Sequence, residues 1–309
     1  MPELPEVEVI RSGLAQAISG ARVAGVEVRD ERSLRRHRPA SEHVAGRSAD
    51  FEARLLGALL TSAVRRGKFL WILIDDDSDG LARRALLAHL GMSGQLLLRR
   101  PEQPEDRHVR VRLWIESARL GELRLDFADQ RLFGSLAIDE MVPTADAAPG
   151  GQGSPLFALP SQASHIARDP LDPAFGEGAF IAALRRRCAP IKTVLLDQGL
   201  VSGIGNIYAD EALWLARIHP ETRAATLRTP RAARLLDAVR DVLSKALAEG
   251  GTSFDRLYVN VNGESGYFAH SLNAYGRTGE PCDRCGTKIK RIPFAGRSSH
   301  FCPRCQRKR

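Results

Sequence analysis

The chain opens MPELPEVE, and removal of Met1 would leave Pro2 as a secondary amine with two carboxylates, Glu3 and Glu6, within four positions. An N-terminal amine has a pKa near ~8, so a useful fraction is neutral at physiological pH. A neutral amine attacks carbon at the aldehyde oxidation level and gives an iminium, a covalent intermediate that divides one hard step into two. Glu3 and Glu6 are close enough in sequence to move the protons such a step needs. The same residues also suit a helix start, where Pro at the first position and an acid in the first turn are ordinary. The two readings hold together. Val7, Ile10, Leu14 and Ile18 recur at helical spacing as far as Gly20, which predicts an amphipathic helix over residues 5–18 with Pro2 just outside its positive end.

A second constellation lies near the other end. Cys282, Cys285, Cys302 and Cys305 form two C-x2-C knuckles separated by sixteen residues. Four thiolates at this spacing fill a tetrahedral zinc site, so one structural Zn2+ is expected. The intervening TKIKRIPFAGRSSHF alternates and contains a turn, which predicts a β-hairpin. Ordering about thirty residues costs tens of kcal/mol at roughly 1 to 2 each, and metal binding of order 10 kcal/mol is needed to offset it. The fifth cysteine, Cys188, follows three arginines and is expected to be structural.

The elements that must hold these groups follow from composition and period. A length of 309 residues suggests about two domains. Lys plus Arg number 45 against 37 Asp plus Glu, a formal charge of +8 that favours a polyanionic partner. No basic start followed by an apolar stretch appears, nor a run of about 18 apolar residues, so a soluble cytoplasmic protein is expected. RVAGVEVRD, KFLWILIDD, HVRVRLWIE and GELRLDFAD read as strands. In HVRVRLWIE, Val109, Val111, Leu113 and Ile115 alternate with Arg110, Arg112 and Trp114, predicting one buried and one wet face. The fold class expected is α+β: an N-terminal β-sandwich with a flanking helix over 1–141, a Pro- and Gly-interrupted linker over 142–173, and a helical domain over 174–250. A loop over 251–271 and a zinc finger over 272–309 complete the chain. In the last helix Thr229 is the expected cap, Pro230 the first residue, and Gly250 and Gly251 the stop.

Gly203 and Gly205, in LVSGIGNIYADEALWLARIHP, lead into a helix whose first N–H groups could bind an anion, with Asn206 donating beside them. The alternative is an ordinary glycine-bearing turn. Lys68 in RRGKFLW, His89 and Met92 in HLGMSG, His108, and Arg131 and Phe133 in DQRLFGSL are individually unremarkable.

Together the opening MPELPEVE, the 200–220 segment, RRGKFLW, HLGMSG, DQRLFGSL and the FAGRSSHF finger resemble the formamidopyrimidine-DNA glycosylase family, bacterial enzymes that remove oxidised purines from DNA. The likeness extends along nearly the whole chain. It implies a helix-two-turn-helix domain, a zinc hairpin entering the minor groove, and a bifunctional glycosylase and abasic-site lyase with Pro2 as nucleophile, Glu3 as general acid and base, and Glu6 positioning the amine. Lys68, Asn206, the backbone of Gly205 and Arg297 would bind phosphates, with His108 near the DNA backbone. Met92, Phe133 and Arg131 would fill the gap left by an extruded base, since chemistry on one base requires taking it out of the stack. The 251–268 loop resembles the family's lid over that base. The expected partner is double-stranded DNA carrying oxidised bases or abasic sites, met by a monomer that touches no membrane and associates with the nucleoid when bound. The chain departs from the family at Leu132, often a second arginine, and at Gly199, a lysine in some members. Two alternatives remain open at this point. An endonuclease VIII-type enzyme for oxidised pyrimidines shares the nucleophile but usually has Gly where this chain has Leu4, and a catalytically silent zinc-containing nucleic-acid-binding protein would need neither Pro2 nor Glu3.

Overall fold

Helix α1 (Leu4–Ile18) forms as its spacing requires. Val7, Ile10, Leu14 and Ile18 are buried to 5% exposure or less, each contributing roughly 2 kcal/mol. The computed structural model describes every residue except 1, 41–45, 76–82, 252–260, 262–267 and 309. The chain divides into two units. The first takes Met1–Pro2, Glu6–His165 and Ser253–Gly266, and the second takes Glu3–Pro5, Ile166–Thr252 and Tyr267–Arg309.

In the first unit the strands are β1 (Ala21–Val28), β2 (Leu59–Arg66), β3 (Phe69–Asp75), β4 (Arg84–His89), β5 (Gly94–Arg99), β6 (Val109–Ser117), β7 (Gly121–Asp129), β8 (Ser135–Pro143) and β9 (Ala158–Pro160), with helix α2 (Arg47–Leu55) between the first two. They form one ladder in the order β5-β7-β6-β1-β2-β3-β4-β8-β9, antiparallel throughout. A flat sheet would set β4 and β5 about 29 Å apart, six strand spacings. Only residues 90–93 join them, a span of at most about 18 Å. The ladder therefore curls back on itself, and the sandwich is a single folded sheet. Its inner faces pool Val23, Leu60, Ile72, Leu86, Leu96, Leu113, Phe127 and Ile138 into one core with the helix residues.

Two sequence expectations change here. Arg112 does not lie on a wet face: it is 3% exposed and pairs with Asp126, its cross-strand neighbour, at 2.7 Å. A charge tolerates burial when a partner sits directly opposite. The segment read as linker is also structured as far as His165. Leu159 of β9 pairs with Val142 of β8, and Arg65 and Gln152 exchange backbone hydrogen bonds at 2.9 and 2.8 Å. Its glycines reflect close approach: a Cβ on Gly151 would lie 2.4 Å from the Arg65 carbonyl oxygen.

The second unit contains α3 (Glu177–Arg185), α4 (Ile191–Leu196), α5 (Asn206–Leu215), α6 (Thr229–Ala248) and the hairpin β10 (Lys290–Phe294) and β11 (Arg297–Phe301). Leu235, Leu236, Val239, Val242, Leu243 and Ala246 face a core shared with Leu184, Ile191, Tyr208 and Leu213. Thr229 does not cap α6 with its side chain. Its hydroxyl instead accepts from Arg185 Nη1 at 3.0 Å. Gly250 and Gly251 both take positive φ, and Gly251 N–H donates to the Ala246 carbonyl at 2.8 Å, closing the helix. The expected lid falls mostly outside the described residues.

Candidate active site

The second unit places Glu3. Helix α5 starts after Gly203, at φ 89°, and Gly205. Its first N–H groups point at an anion, as the glycine spacing implies, but that anion is the chain's own carboxylate. Gly205 N–H donates to Glu3 Oε2 at 2.6 Å, Ile207 N–H to Oε1 at 2.9 Å, and Tyr208 N–H to Oε2 at 3.4 Å. Leu4 N–H donates to the Gly203 carbonyl at 3.0 Å, fixing the chain on either side of the carboxylate. Glu3 is 1% exposed. Donors at a helix N-terminus favour negative charge there, so the geometry holds a carboxylate in one orientation and removes the Gly205 backbone from phosphate binding. Asn206, the first residue of α5, is nearly buried, and its Oδ1 has no hydrogen-bond partner among the described residues.

The same helix carries two acids that sequence reading passed over. Asp210 accepts from Lys192 Nζ and Ser299 Oγ, both at 2.7 Å, and from His300 N–H at 2.8 Å. Lys192 also donates to the Ser298 carbonyl at 3.0 Å, next to Arg297. Burial lowers the Lys192 ammonium below the usual lysine range, against the attraction of Asp210. Glu211 accepts from the backbone N–H groups of Asn273, Ala274 and Tyr275 at 2.8 to 2.9 Å. These buried acids anchor β11 and the chain leading to the finger on α5. Arg297 follows the turn at Ala295 and Gly296, both at positive φ, and is exposed.

The finger's donor set fits zinc. The four thiol sulfurs lie within 4.8 Å of one another, with Cys285 to Cys302 and Cys285 to Cys305 at 3.5 Å. A tetrahedron of 2.3 Å Zn–S bonds has edges of about 3.8 Å. Trp214 Nε1–H donates to Cys282 Sγ at 3.4 Å and Cys305 N–H to Cys302 Sγ at 3.4 Å, bonds that suit thiolates. The site holds a single structural zinc. Cys188, expected to be structural, is exposed.

In the first unit, Lys68 is the second residue of the Gly67–Lys68 turn between β2 and β3, rather than a strand residue. His89 ends β4 with its ring 5.0 Å from that of Phe69. Its Nδ1 accepts from Gly91 N–H at 3.2 Å. Burial, with the charges of Arg36, Lys68 and Arg35, lowers His89 to about 4, so it is neutral near pH 7. Two loops then meet. Ser93 Oγ donates to Asp129 Oδ1 at 2.5 Å, and Asp129 accepts from Arg131 N–H at 3.2 Å and Gly134 N–H at 2.6 Å. Gly91 at φ 62° lies so close that a Cβ would come within 2.3 Å of the Phe133 backbone. The contact brings Met92, Arg131 and Phe133 to one edge. Phe133 is 46% exposed, and the Arg131 guanidinium stacks 4.9 Å from its ring centroid.

Pro2 is buried and assigned to the first unit, while Glu3, the next residue, belongs to the second. Glu6 is buried in the first turn of α1. His108 ends the turn just before β6, with Arg107 Nε 3.0 Å from its ring nitrogen. Only its carbonyl joins the loop cluster, accepting from Asp129 N–H at 2.9 Å.

Known proteins resemble the chain over nearly its whole length. Residues 1–136 match the model of the formamidopyrimidine-DNA glycosylase N-terminal domain, 166–256 that family's H2TH domain, and 279–307 the zinc finger found in FPG and IleRS. A formamidopyrimidine-DNA glycosylase of Leifsonia xyli is 59% identical over 307 residues, covering 99% of this chain and 100% of the relative. One from Thermobifida fusca is 54% identical over 311 residues, covering 99% and 97%. Among solved structures, Lactococcus lactis Fpg in complex with abasic-site DNA superimposes at a TM-score of 0.78 with 31% identity, covering 99% of this chain and 100% of that one. A mutant form of the same protein, bound to Fapy-dG DNA, reaches 0.80 with 31% identity and the same coverage. The chain belongs to the formamidopyrimidine-DNA glycosylase family.

Proposed function

We propose that this chain is a base-excision-repair glycosylase and abasic-site lyase that removes oxidised purines, 8-oxoguanine and formamidopyrimidines, through an iminium at Pro2. The observation that carries the reading is the Glu3 carboxylate, fixed by three backbone N–H groups and joined covalently to the residue that supplies the amine. Glu3 takes the proton from the Pro2 ammonium and so frees its lone pair. Pro2 nitrogen bonds to the anomeric carbon as the bond to the damaged base breaks; the base leaves with that electron pair and takes up the proton that the substituted Pro2 nitrogen gives up, which frees the nitrogen lone pair again. The Glu3 proton passes to the sugar ring oxygen, the ring opens, and an iminium forms. Loss of a C2′ proton expels the 3′ phosphate, loss of a C4′ proton then expels the 5′ phosphate, and water hydrolyses the iminium to regenerate Pro2. Glu6 supports the first turn of α1 beside the amine.

Lys68, Asn206 and Arg297 bind backbone phosphates in this reading, with His108 farther along the strand. The Asn206 amide has an oxygen without a partner among the described residues, and rotating it turns the NH2 group toward a phosphate. Met92 and Phe133 wedge into the gap left by the extruded base, and Arg131 reads the widowed base. A guanidinium carries only donors, and cytosine offers two adjacent acceptors where adenine sets an amino donor beside one acceptor. The zinc takes no part in the chemistry and holds the hairpin that carries Arg297. No described helix is long and apolar enough to cross a membrane, and the reading makes the protein cytoplasmic, on the nucleoid when bound. The test is excision by the purified protein of 8-oxoguanine, a formamidopyrimidine and thymine glycol. The two purine lesions should be released fastest, with 8-oxoguanine about tenfold or more faster opposite cytosine than opposite adenine; faster release of thymine glycol would favour an endonuclease VIII-type activity instead.

A further inference from the structure

The loop that carries Arg131 and Phe133 is held by its backbone from two sides. On one side Asp129 accepts from the N–H groups of Arg131 and Gly134. On the other, one guanidinium from a distant stretch of the sequence takes three consecutive carbonyls: Arg35 Nη1 donates to Leu132 at 2.7 Å and Gly134 at 2.9 Å, and Nη2 donates to Phe133. Arg35 is exposed and makes no ion pair among the described residues, so neither burial nor a carboxylate explains its placement. Leu132 sits at φ 54°, a left-handed conformation that a leucine adopts only when its surroundings impose it. The side chains on either side of Leu132 are left out of this framework. Arg131 makes no hydrogen bond or ion pair through its guanidinium to the described residues, and both it and Phe133 are exposed.

We infer that Arg35 is a positioning residue for opposite-base discrimination, fixing the 132–134 backbone so that Arg131 meets the widowed base at one height and angle. This rests on the reading of Arg131 given above. Discrimination between two bases by a pair of hydrogen bonds is lost when the donor can shift by a fraction of an ångström, whereas wedging tolerates such a shift. Removing the clamp should therefore erode selectivity before it erodes cleavage. A lysine keeps the charge but is a point donor that lacks the planar fork reaching three carbonyls, so Arg35→Lys separates a clamp from a phosphate ligand.

The experiment compares the wild-type protein with Arg35→Lys, Arg35→Ala and Arg131→Ala. It measures 8-oxoguanine excision opposite cytosine and adenine, strand cleavage at an abasic site in single-stranded DNA, which has no widowed base, and the salt dependence of duplex binding. For Arg35→Lys we expect the cytosine-to-adenine ratio to fall from about tenfold or more to within about threefold. Single-stranded cleavage should stay within about twofold of wild type, and Arg35→Ala should leave the salt slope unchanged. A ratio retained in Arg35→Lys while Arg131→Ala abolishes it would overturn the clamp and leave the Arg131 reading intact. A flattened salt slope in Arg35→Ala with an intact ratio in Arg35→Lys would make Arg35 a phosphate ligand. Loss of single-stranded cleavage in step with the ratio would make its role one of folding. A ratio unchanged in Arg131→Ala would refute the reading of Arg131, and the clamp's proposed purpose with it.

Discussion

Gly205→Ala tests the placement of Glu3 without touching any group that takes part in the reaction. A methyl group built on Gly205 would lie 2.4 Å from both the carboxyl carbon and Oε1 of Glu3, where ordinary carbon contacts need about 3.5 Å or more. The backbone at Gly205 has φ −127°, which alanine adopts freely, so the strain falls on the Glu3 side chain. That side chain must withdraw by about 1 Å and abandon the 2.6 Å contact from Gly205 N–H. Losing one or two such charge-assisted bonds, partly replaced by water, should cost roughly 1 to 3 kcal/mol of stability. The chemical cost should be larger in proportion, since a displacement of about 1 Å in a catalytic group lowers rates by about 10². Single-turnover excision of 8-oxoguanine measures the rate, and thermal unfolding measures the stability. The expected result is a folded protein with excision slowed by about a hundredfold and binding to an abasic analogue within about threefold of wild type. Excision at the wild-type rate in a folded Gly205→Ala protein would refute the claim that these N–H groups place the catalytic carboxylate.

Two further predictions concern the metal and pH. Zinc analysis should give about one ion per chain, and Cys302→Ser should weaken duplex binding while the sheet of the first unit keeps its circular-dichroism signal; because Trp214 donates to Cys282 Sγ, chelation should also shift tryptophan emission to the red. Normal binding of abasic DNA by the metal-free protein would remove the finger from the DNA surface. His89 lies near 4 in the folded chain against 6.5 ordinarily, chiefly through burial. The unfolded chain therefore takes the proton first, and stability present above about pH 6.5 declines as pH falls toward 4, by up to about 3 kcal/mol. Urea unfolding at pH 7.5 and 5 should show a loss that His89→Gln reduces by about 2 kcal/mol; an equal loss in the variant would assign it to other groups.

Much of this was legible in the chain because period and spacing are local properties. The stripe Val7, Ile10, Leu14 and Ile18 and the two C-x2-C knuckles each specify an element without reference to anything distant. What the sequence hid depends on partners far along the chain. Gly205 looks like part of a phosphate loop until Glu3, about two hundred residues earlier, is found on its N–H. Arg112 looks solvent-facing until β7 sets Asp126 opposite it. Pro and Gly over 142–165 resemble a linker because close backbone packing and chain flexibility favour the same residues. Arg35 lies in none of the quoted motifs, and within them Asp129, Asp210 and Glu211 have no residue type or spacing that marks them; their importance lies in the distant backbone and side-chain groups each one holds. A strand such as β4, with four consecutive residues buried out of six, gives little period to detect.

The covalent step at Pro2 admits the most direct measurement. Borohydride added during reaction with duplex containing 8-oxoguanine opposite cytosine should reduce the iminium to a stable amine and link protein to DNA. Peptide mapping should find the link at the N-terminal proline, and a protein that retains Met1 should give none, because an amide nitrogen is not nucleophilic. Equal trapping by the Met1-retaining protein, or a link at any lysine in place of Pro2, would contradict the mechanism.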